Sequence, residues 1–159
     1  MTQYTRSFPD RLCESPAIIV AMESQGVPTP LHRKLGVKAG HRFAVLNAPE
    51  GFRATLGVLP EGVEIRDALD AAAEPFDVIL WFGVERAGLE SIIREGRAAL
   101  TSEGGLWVGW PKRASGIATE VDADVVRELA LPTGLVDNKI CAIDDSWSGI
   151  RLVLRRELR

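Results

Sequence analysis

The chain has 159 residues, of which 46% are hydrophobic and 26% charged, and its formal net charge is −3. A chain of this length buries roughly two thirds of its unfolded surface, so it folds without disulfides or metals. The composition excludes disordered, collagen-like and disulfide-scaffold proteins. Because no block of like charges stands out, neither nucleic acid nor an anionic membrane is expected as a partner.

The cysteines and the apolar runs predict a cytoplasmic protein. Cys13 and Cys141 are far apart and form no CxxC motif, which is typical of a reduced, cytosolic chain. The longest apolar run, residues 17–22, is far shorter than the roughly 20 residues that a membrane span needs. Its polar flanks also argue against a signal peptide.

Residues 1–30 differ from the rest of the chain. They are polar at first and end in a segment with Pro28 and Pro30, which cannot continue a helix. We predict an N-terminal extension and proline-containing linker over residues 1–30, followed by one domain over residues 31–159.

From residue 31 the apolar pattern alternates short strands with helical stripes. In chain order, the pattern predicts a strand at 42–46, a helix from Pro49, a strand at 63–65, a strand at 76–82, a helix at 86–100 ended by Gly104 and Gly105, a strand at 106–110, a helix capped by Thr119, and strands at 139–143 and 150–154. The strand at 76–82 shows little alternation, as expected for a parallel strand that is covered on both faces.

This element order predicts an α/β fold. Alternating strands and helices favour a three-layer, open and mostly parallel sheet with helices on both faces. The last two strands are separated by too few residues for a crossover helix, so they form an antiparallel hairpin at or near an edge.

Two segments resemble class I S-adenosylmethionine-dependent methyltransferases, which have a Rossmann-like fold. Residues 35–42 match an L-G-x-x-x-G-x-R lead into the first strand, and residues 100–107 resemble an L-x-x-G-G-x-L segment before a later strand. The resemblance implies S-adenosylmethionine as a cofactor. However, the glycine-rich loop that follows the first strand in those enzymes is absent here, and residues 47–52 take its place.

Four other segments are similar to a bacterial domain-of-unknown-function family, number 3052. They are residues 47–52, 110–112, 134–139 and 146–153. This resemblance implies the same methyltransferase-like fold and no known chemistry.

The methyltransferase resemblance also indicates candidate cofactor residues. In open α/β sheets, ligands bind beyond the carboxyl ends of the strands, near the point where strand order reverses. Asn47, Glu50 and Gly51 follow the first strand, and Asp67 is the acidic residue nearest to the end of the second strand. An acidic residue at that place in the methyltransferases holds the cofactor ribose.

A second set of candidates follows the strand at 106–110. Residues 110–116 carry two cations, a hydroxyl and a glycine at a carboxyl edge, which are the parts of an anion or phosphate site if the backbone N–H groups are free. A solvated polar loop is the plainer alternative. Trp147, in the hairpin turn, either caps the ligand crevice or plugs the end of the sheet. The candidate ligand-binding residues are Trp110, Lys112, Arg113, Ser115 and Trp147.

The sequence does not indicate a catalytic residue or a metal site. His41 and Asp77 come just before strands, so we expect them at the opposite edge of the sheet. The two histidines and two cysteines lack the spacing of metal ligands, and the adjacent Asp144 and Asp145 are typical of a turn.

Three functions remain open. The first is a non-catalytic module that binds a small anionic or nucleotide-like ligand, or a protein, on a degenerate methyltransferase-like scaffold. The second is an enzyme that binds S-adenosylmethionine or a nucleotide through an atypical loop. The third is a structural subunit of an oligomer.

Overall fold

The computed structural model describes residues 30–69 and 74–159, which form one six-stranded sheet with helices on both faces. The helices are α1 (Leu31–Leu35), α2 (Phe52–Leu56), α3 (Arg86–Ala99) and α4 (Ala123–Ala130). The strands are β1 (Arg42–Leu46), β2 (Glu64–Arg66), β3 (Phe76–Phe82), β4 (Leu100–Pro111), β5 (Leu135–Ala142) and β6 (Trp147–Leu154).

The strand order is β2-β1-β3-β4-β6-β5. The first four strands along the chain run parallel, whereas β6 is antiparallel to both β4 and β5. The predicted α/β sheet and its antiparallel C-terminal hairpin are therefore confirmed.

Apolar side chains cover both faces of the sheet. On one face, Leu89 and Ile93 of α3 and Val126 of α4 pack on the sheet, and on the other face Leu35 of α1 and Phe52 of α2 do so. Along β3 the side chains alternate between the two clusters, and nearly all are buried. Each large apolar side chain buried in this way contributes about 1.5–3 kcal/mol.

Trp107 fastens α1 to the sheet. Its side chain is fully buried, and its indole Nε1 donates a hydrogen bond of 2.9 Å to the carbonyl oxygen of Leu35, the last residue of α1. A five-residue helix is not stable alone in water, so α1 depends on such tertiary contacts.

The boundary between α3 and β4 differs from the prediction. Helix α3 ends at Ala99, and β4 begins at Leu100 and includes Gly104 and Gly105. The two glycines lie inside β4 and do not end the helix. Glycine suits these two positions because other groups occupy the space that a side chain would take. A methyl group at Gly104 would lie 2.8 Å from the carbonyl oxygen of Asp77, and one at Gly105 would overlap the Arg151 guanidinium.

Two helix starts were also predicted wrongly. The N-cap of α4 is Asp122, whose carboxylate accepts a hydrogen bond of 2.9 Å from the Val125 N–H. Thr119 instead accepts the N–H of Val121 in a separate turn. Helix α2 begins at Phe52, since Pro49 lies in the preceding turn and accepts the Phe52 N–H.

The predicted extension and linker over residues 1–30 lie, except for Pro30, outside the described residues, as does Cys13. The division of the chain at residue 30 thus stays a prediction. Across residues 30–69 and 74–159, none of the helices has the length and apolar character needed to cross a membrane.

Candidate functional site

The strand order reverses at β1, which lies between β2 and β3. The loop that leaves β1 turns sharply. Asn47 has a φ of 59° and is the one non-glycine residue with positive φ in the described part of the chain, and Gly51 follows with a φ of 84°. Asparagine tolerates this left-handed conformation better than most residues. The loop therefore reaches α2 without the series of glycines that lets a backbone approach a cofactor closely.

A cleft of about 380 Å³ opens at this edge, between the carboxyl ends of β1 and β2 and helix α3. We call it the switch-point cleft. Its polar side chains are those of Asn47, Asp67, Ser91 and Glu95. Its apolar wall is formed by Leu46, Leu69, Trp81 and Ile92.

Trp81 of β3 shapes the wall of the switch-point cleft. Trp81 is 6% exposed. Its indole lies against Gly83, which precedes α3, and against Gly88 in the first turn of α3. A methyl group at Gly83 would overlap the indole, and one at Gly88 would lie 3.1 Å from it. These two glycines thus make room for the protein's own tryptophan.

The structure brings together half of the candidate cofactor residues. Asn47 and Asp67, which come from different strands, both line the switch-point cleft. Glu50 and Gly51 are exposed and lie outside its lining. Asp67 directly follows β2, the place where the methyltransferase resemblance implies an acidic residue.

A second cleft, of about 450 Å³, lies at the same edge beyond the end of β4. We call it the outer cleft. Trp110 and Arg113 line it, together with Thr119 and Asp122 from the segment before α4. Lys112, Ser115 and Trp147 do not line it, so the structure separates the five candidate ligand-binding residues.

The loop beside the outer cleft uses its own hydrogen-bond donors. The Lys112 N–H donates to the carbonyl oxygen of Ser146, and those of Ser115 and Gly116 donate within the loop. The Ile117 N–H donates to the Ser115 hydroxyl, which itself donates to the Lys112 carbonyl oxygen at 2.7 Å. These four N–H groups already have partners and are not free to bind an anion.

Trp147 plugs the end of the sheet on the face of α1 and α2. It packs edge-on against Phe82, with 5.2 Å between ring centroids, and Phe82 packs in turn against Phe52 at 5.0 Å. The hairpin turn before it is held by Asp144, whose carboxylate accepts the N–H groups of Ser146 and Trp147 at 2.8 Å each. The turn chemistry predicted for this aspartate is confirmed.

Sequence reasoning missed the contacts that join the start of α4 to α3. The Glu120 N–H donates to the Val84 carbonyl oxygen at 2.7 Å, and the Glu120 carboxylate accepts the Arg86 N–H at 3.0 Å. The Arg86 guanidinium donates to Glu128 at 2.8 Å, and this bond raises the pKa of Arg86. These partners are more than 30 positions apart, so no local pattern marks them.

The histidines lie far from both clefts. His41 and Asp77 are at the amino ends of the strands, as predicted, and His32 lies in α1 at that same edge. Among the described residues, no three histidine, cysteine or acidic side chains are grouped as metal ligands. The carboxyl edge therefore offers carboxylates and hydroxyls but no imidazole.

Solved structures confirm the methyltransferase-like fold. The chain resembles a TehB-like SAM-dependent methyltransferase from Corynebacterium glutamicum with a TM-score of 0.50 at 13% identity, over 82% of this chain and 90% of that one. A ribosomal protein L11 methylase from Lactobacillus delbrueckii subsp. bulgaricus matches with a TM-score of 0.50 at 10% identity, over 79% and 76%. TrmN from Thermus thermophilus matches 79% of this chain at 15% identity and a TM-score of 0.48, but the chain covers only 47% of that longer protein.

Comparison by sequence shows the family. A search of curated proteins finds no significant match. The model of the family described as "Protein of unknown function (DUF3052)" matches residues 61–156, which is more than half of the chain. The loop at 110–112 and the hairpin segments that carried the predicted resemblance lie within that match. The chain therefore belongs to the DUF3052 family and has a methyltransferase-like α/β fold.

Proposed function

We propose that this protein is a non-catalytic binding module whose switch-point cleft holds a nucleoside-bearing small molecule such as an S-adenosyl compound. The observation that carries the proposal is the pairing of Asn47 and Asp67 with an apolar wall in one cleft of about 380 Å³. A few convergent polar groups on a largely apolar cleft are typical of small-molecule sites.

The chemistry of the cleft suits a ribose and a base. The Asp67 carboxylate, just past the end of β2, accepts hydrogen bonds from both hydroxyls of a vicinal diol. Charge-assisted hydrogen bonds of this kind are stronger than neutral ones. The Asn47 amide both donates and accepts, and Leu69 and Trp81 supply apolar surface for a planar base.

Two observations support binding without catalysis. The Trp81 indole fills the space beside Gly83 and Gly88, so these two glycines leave no opening there for a cofactor. In addition, the described side chains of the switch-point cleft include no histidine or cysteine. General acid–base or nucleophilic chemistry would depend on Glu95, Ser91 or Asp67, without a neighbouring imidazole to activate them.

An S-adenosylmethionine- or nucleotide-dependent enzyme is the second candidate. The outer cleft favours it, because a cavity of about 450 Å³ at the same edge would accommodate an acceptor molecule beside a bound cofactor. Transfer of a radioactive methyl group from S-adenosylmethionine to any acceptor by the purified chain would establish this function and overturn the non-catalytic proposal.

The test is a titration of the full chain with S-adenosylmethionine, S-adenosylhomocysteine and adenosine, in which binding is measured by thermal shift and by calorimetry. A ligand at 100 times its Kd stabilises the folded state by about 2.7 kcal/mol, and each kcal/mol raises the Tm by roughly 2–4 °C at this size. We expect saturable binding of at least one adenosine compound.

The matched variants are Asp67→Asn and Asp145→Asn. Asp145 is an exposed carboxylate in the hairpin turn and does not line the switch-point cleft. Losing a charged hydrogen-bond acceptor costs about 1.5–3 kcal/mol, so Asp67→Asn should weaken binding about tenfold or more while Asp145→Asn leaves it unchanged. Equal affinities in the two variants, or no binding by the unmodified chain, would refute the proposal.

A further inference from the structure

The amino-terminal edge of the sheet contains a cavity that the proposed function does not use. It has a volume of about 460 Å³ and lies between α1, the turn before β1 and the starts of β3 and β4, with β5 and β6 at its side. We call it the amino-edge cavity. Five lysine or arginine side chains line it: Arg33, Lys34, Lys38, Lys139 and Arg151.

The charge of this cavity opposes that of the whole chain. Against the five cations stand two carboxylates, Asp77 and Glu103, whereas the formal net charge of the chain is −3. Asp77 is already engaged, because its Oδ2 accepts the Arg42 N–H at 2.9 Å. A concave site lined mainly by one sign of charge concentrates ligands of the opposite sign.

Arg151 is the most constrained of the five cations. Its guanidinium crosses the backbone of β4 at Gly105, where a side chain on β4 would overlap it. Its Nε is buried and has no hydrogen-bond partner, and no carboxylate of the described residues lies within ion-pair distance of Arg151. A partly buried cation without a counter-charge is costly, and an anion that binds the terminal nitrogens of the guanidinium from the cavity would reduce that cost.

The surroundings of Arg151 increase this cost. Burial, and then the charge of Arg159, lower the pKa of Arg151, so the charged form is disfavoured by its environment. Lys139 is also held in place, since its Nζ donates a hydrogen bond of 3.1 Å to the carbonyl oxygen of Lys34. This contact joins β5 to α1 across the cavity and keeps two of the cations near each other.

We propose that the amino-edge cavity binds the phosphate group of a small phosphorylated molecule, with Arg151 as its central ligand. The guanidinium fork matches the oxygens of a phosphate in a bidentate manner, and lysines add point charges around it. The cavity is larger than a phosphate ion, which leaves room for the rest of the molecule. The site is distinct from the switch-point cleft and does not depend on the function proposed for that cleft.

The test is a calorimetric titration of the full chain with inorganic phosphate and with pyrophosphate, at constant ionic strength set by chloride. We expect saturable binding, with pyrophosphate tighter than phosphate. The variant Arg151→Gln should weaken pyrophosphate binding at least tenfold, and Lys139→Gln should weaken it by a smaller factor. Arg94→Gln removes an exposed cation of α3 outside the cavity and should leave the affinity unchanged.

Several results would overturn the proposal. Absence of saturable pyrophosphate binding by the unmodified chain would do so, as would equal affinity in Arg151→Gln, Lys139→Gln and Arg94→Gln. Lys139 is exposed, so Lys139→Gln still tests the site if Arg151→Gln fails to fold. Asp67→Asn should bind pyrophosphate normally, which separates this outcome from the fate of the nucleoside proposal.

Discussion

The two edges of the sheet carry clefts of similar size but opposite chemistry. The switch-point cleft, of about 380 Å³, combines the carboxylates of Asp67 and Glu95 with an apolar wall. The amino-edge cavity, of about 460 Å³, is lined by five cations. The first lies where parallel strands of any such sheet leave a crevice. The second exists because the antiparallel β6 places Arg151 beside Trp107 of β4.

This difference shows which part of the site is general and which is particular to this chain. The reversal of strand order fixes the position of the switch-point cleft, whereas the Trp81 wall depends on the side chain at that one position. The amino-edge cavity has no counterpart in the rule for α/β sheets. It arises from the C-terminal hairpin and from α1, which Trp107 holds in place.

The largest expected effect is on the attachment of α1 at the amino edge. In Trp107→Phe the carbonyl oxygen of Leu35 loses its buried partner, which costs about 1–3 kcal/mol, and the smaller ring leaves a void that adds to this. We expect a free energy of unfolding lower by about 3 kcal/mol, measured by urea denaturation. Trp110→Phe, at a partly exposed position, is the control and should cost less than half as much.

The next effect concerns the Trp81 wall at the carboxyl edge. In Gly83→Ala the new methyl group overlaps the buried indole, and overpacking of this kind costs about 1–3 kcal/mol. The double variant Gly83→Ala/Trp81→Leu should be less destabilised than the sum of its single changes, because the clash is gone. Strict additivity in this double-mutant cycle, measured by thermal unfolding, would show that the two residues do not touch.

Gly88→Ala tests a weaker contact with the same Trp81 indole. Its methyl group would lie 3.1 Å from the indole, so the indole must shift by only a few tenths of an ångström. Within a helix, alanine is favoured over glycine by about 1 kcal/mol, which offsets the crowding. We expect a Tm within a few degrees of the unmodified chain, and a loss as large as that of Gly83→Ala would contradict the packing described here.

A smaller effect is expected beside the outer cleft. Asp122 caps α4 through a hydrogen bond to the Val125 N–H, so Asp122→Ala should lower the free energy of unfolding by about 1 kcal/mol. Thr119→Ala tests the alternative cap predicted from the sequence. If Thr119→Ala were the more destabilising variant in denaturant titrations, the assignment of the cap would be wrong.

The smallest effect is a pH dependence that reports the positive charges around Cys141. Burial raises the pKa of the Cys141 thiol, while the charges of Lys139, Lys34 and Lys112 lower it. The stability linked to this thiol is therefore present below the pKa of the unfolded chain and lost as the pH rises through the higher folded value. In a Cys13→Ser background, alkylation of Cys141 should reach half its maximal rate at a higher pH than in a free thiol.

Lys139→Gln sharpens this measurement. Removing one nearby positive charge should raise the pKa of Cys141 further, so the alkylation profile should move to still higher pH. A shift toward lower pH would mean that Lys139 does not act on the thiol through its charge.

The sequence predicts the order of elements and the sides of the sheet well. The uninterrupted apolar run of β3, the short hairpin connection and the positions of His41 and Asp77 before their strands depend on local patterns. Such local patterns are reliable because the apolar spacing within one short segment decides whether it is a strand and which of its side chains are buried. The positions of Asn47 and Asp67, each directly after a strand, were also predicted in this way.

What the sequence does not reveal depends on register between distant strands. Gly104 and Gly105 resemble a helix stop, and only the pairing of β4 with β6 shows that Arg151 crosses Gly105. The glycines at 83 and 88 are likewise explained only by where the Trp81 indole lies. The choice of Asp122 over Thr119 as a cap depends on the loop that Glu120 fastens to Val84.

The proposed nucleoside site is tested most directly by an NMR titration of the isotopically labelled full chain with S-adenosylhomocysteine. We expect saturable amide shifts at Asn47, Asp67 and Ser91, around the switch-point cleft, with the amino-edge residues Lys38 and Lys139 unchanged. If no shifts appear at the highest soluble concentration of S-adenosylhomocysteine, or if the shifts are confined to the amino edge, the proposed nucleoside site is wrong.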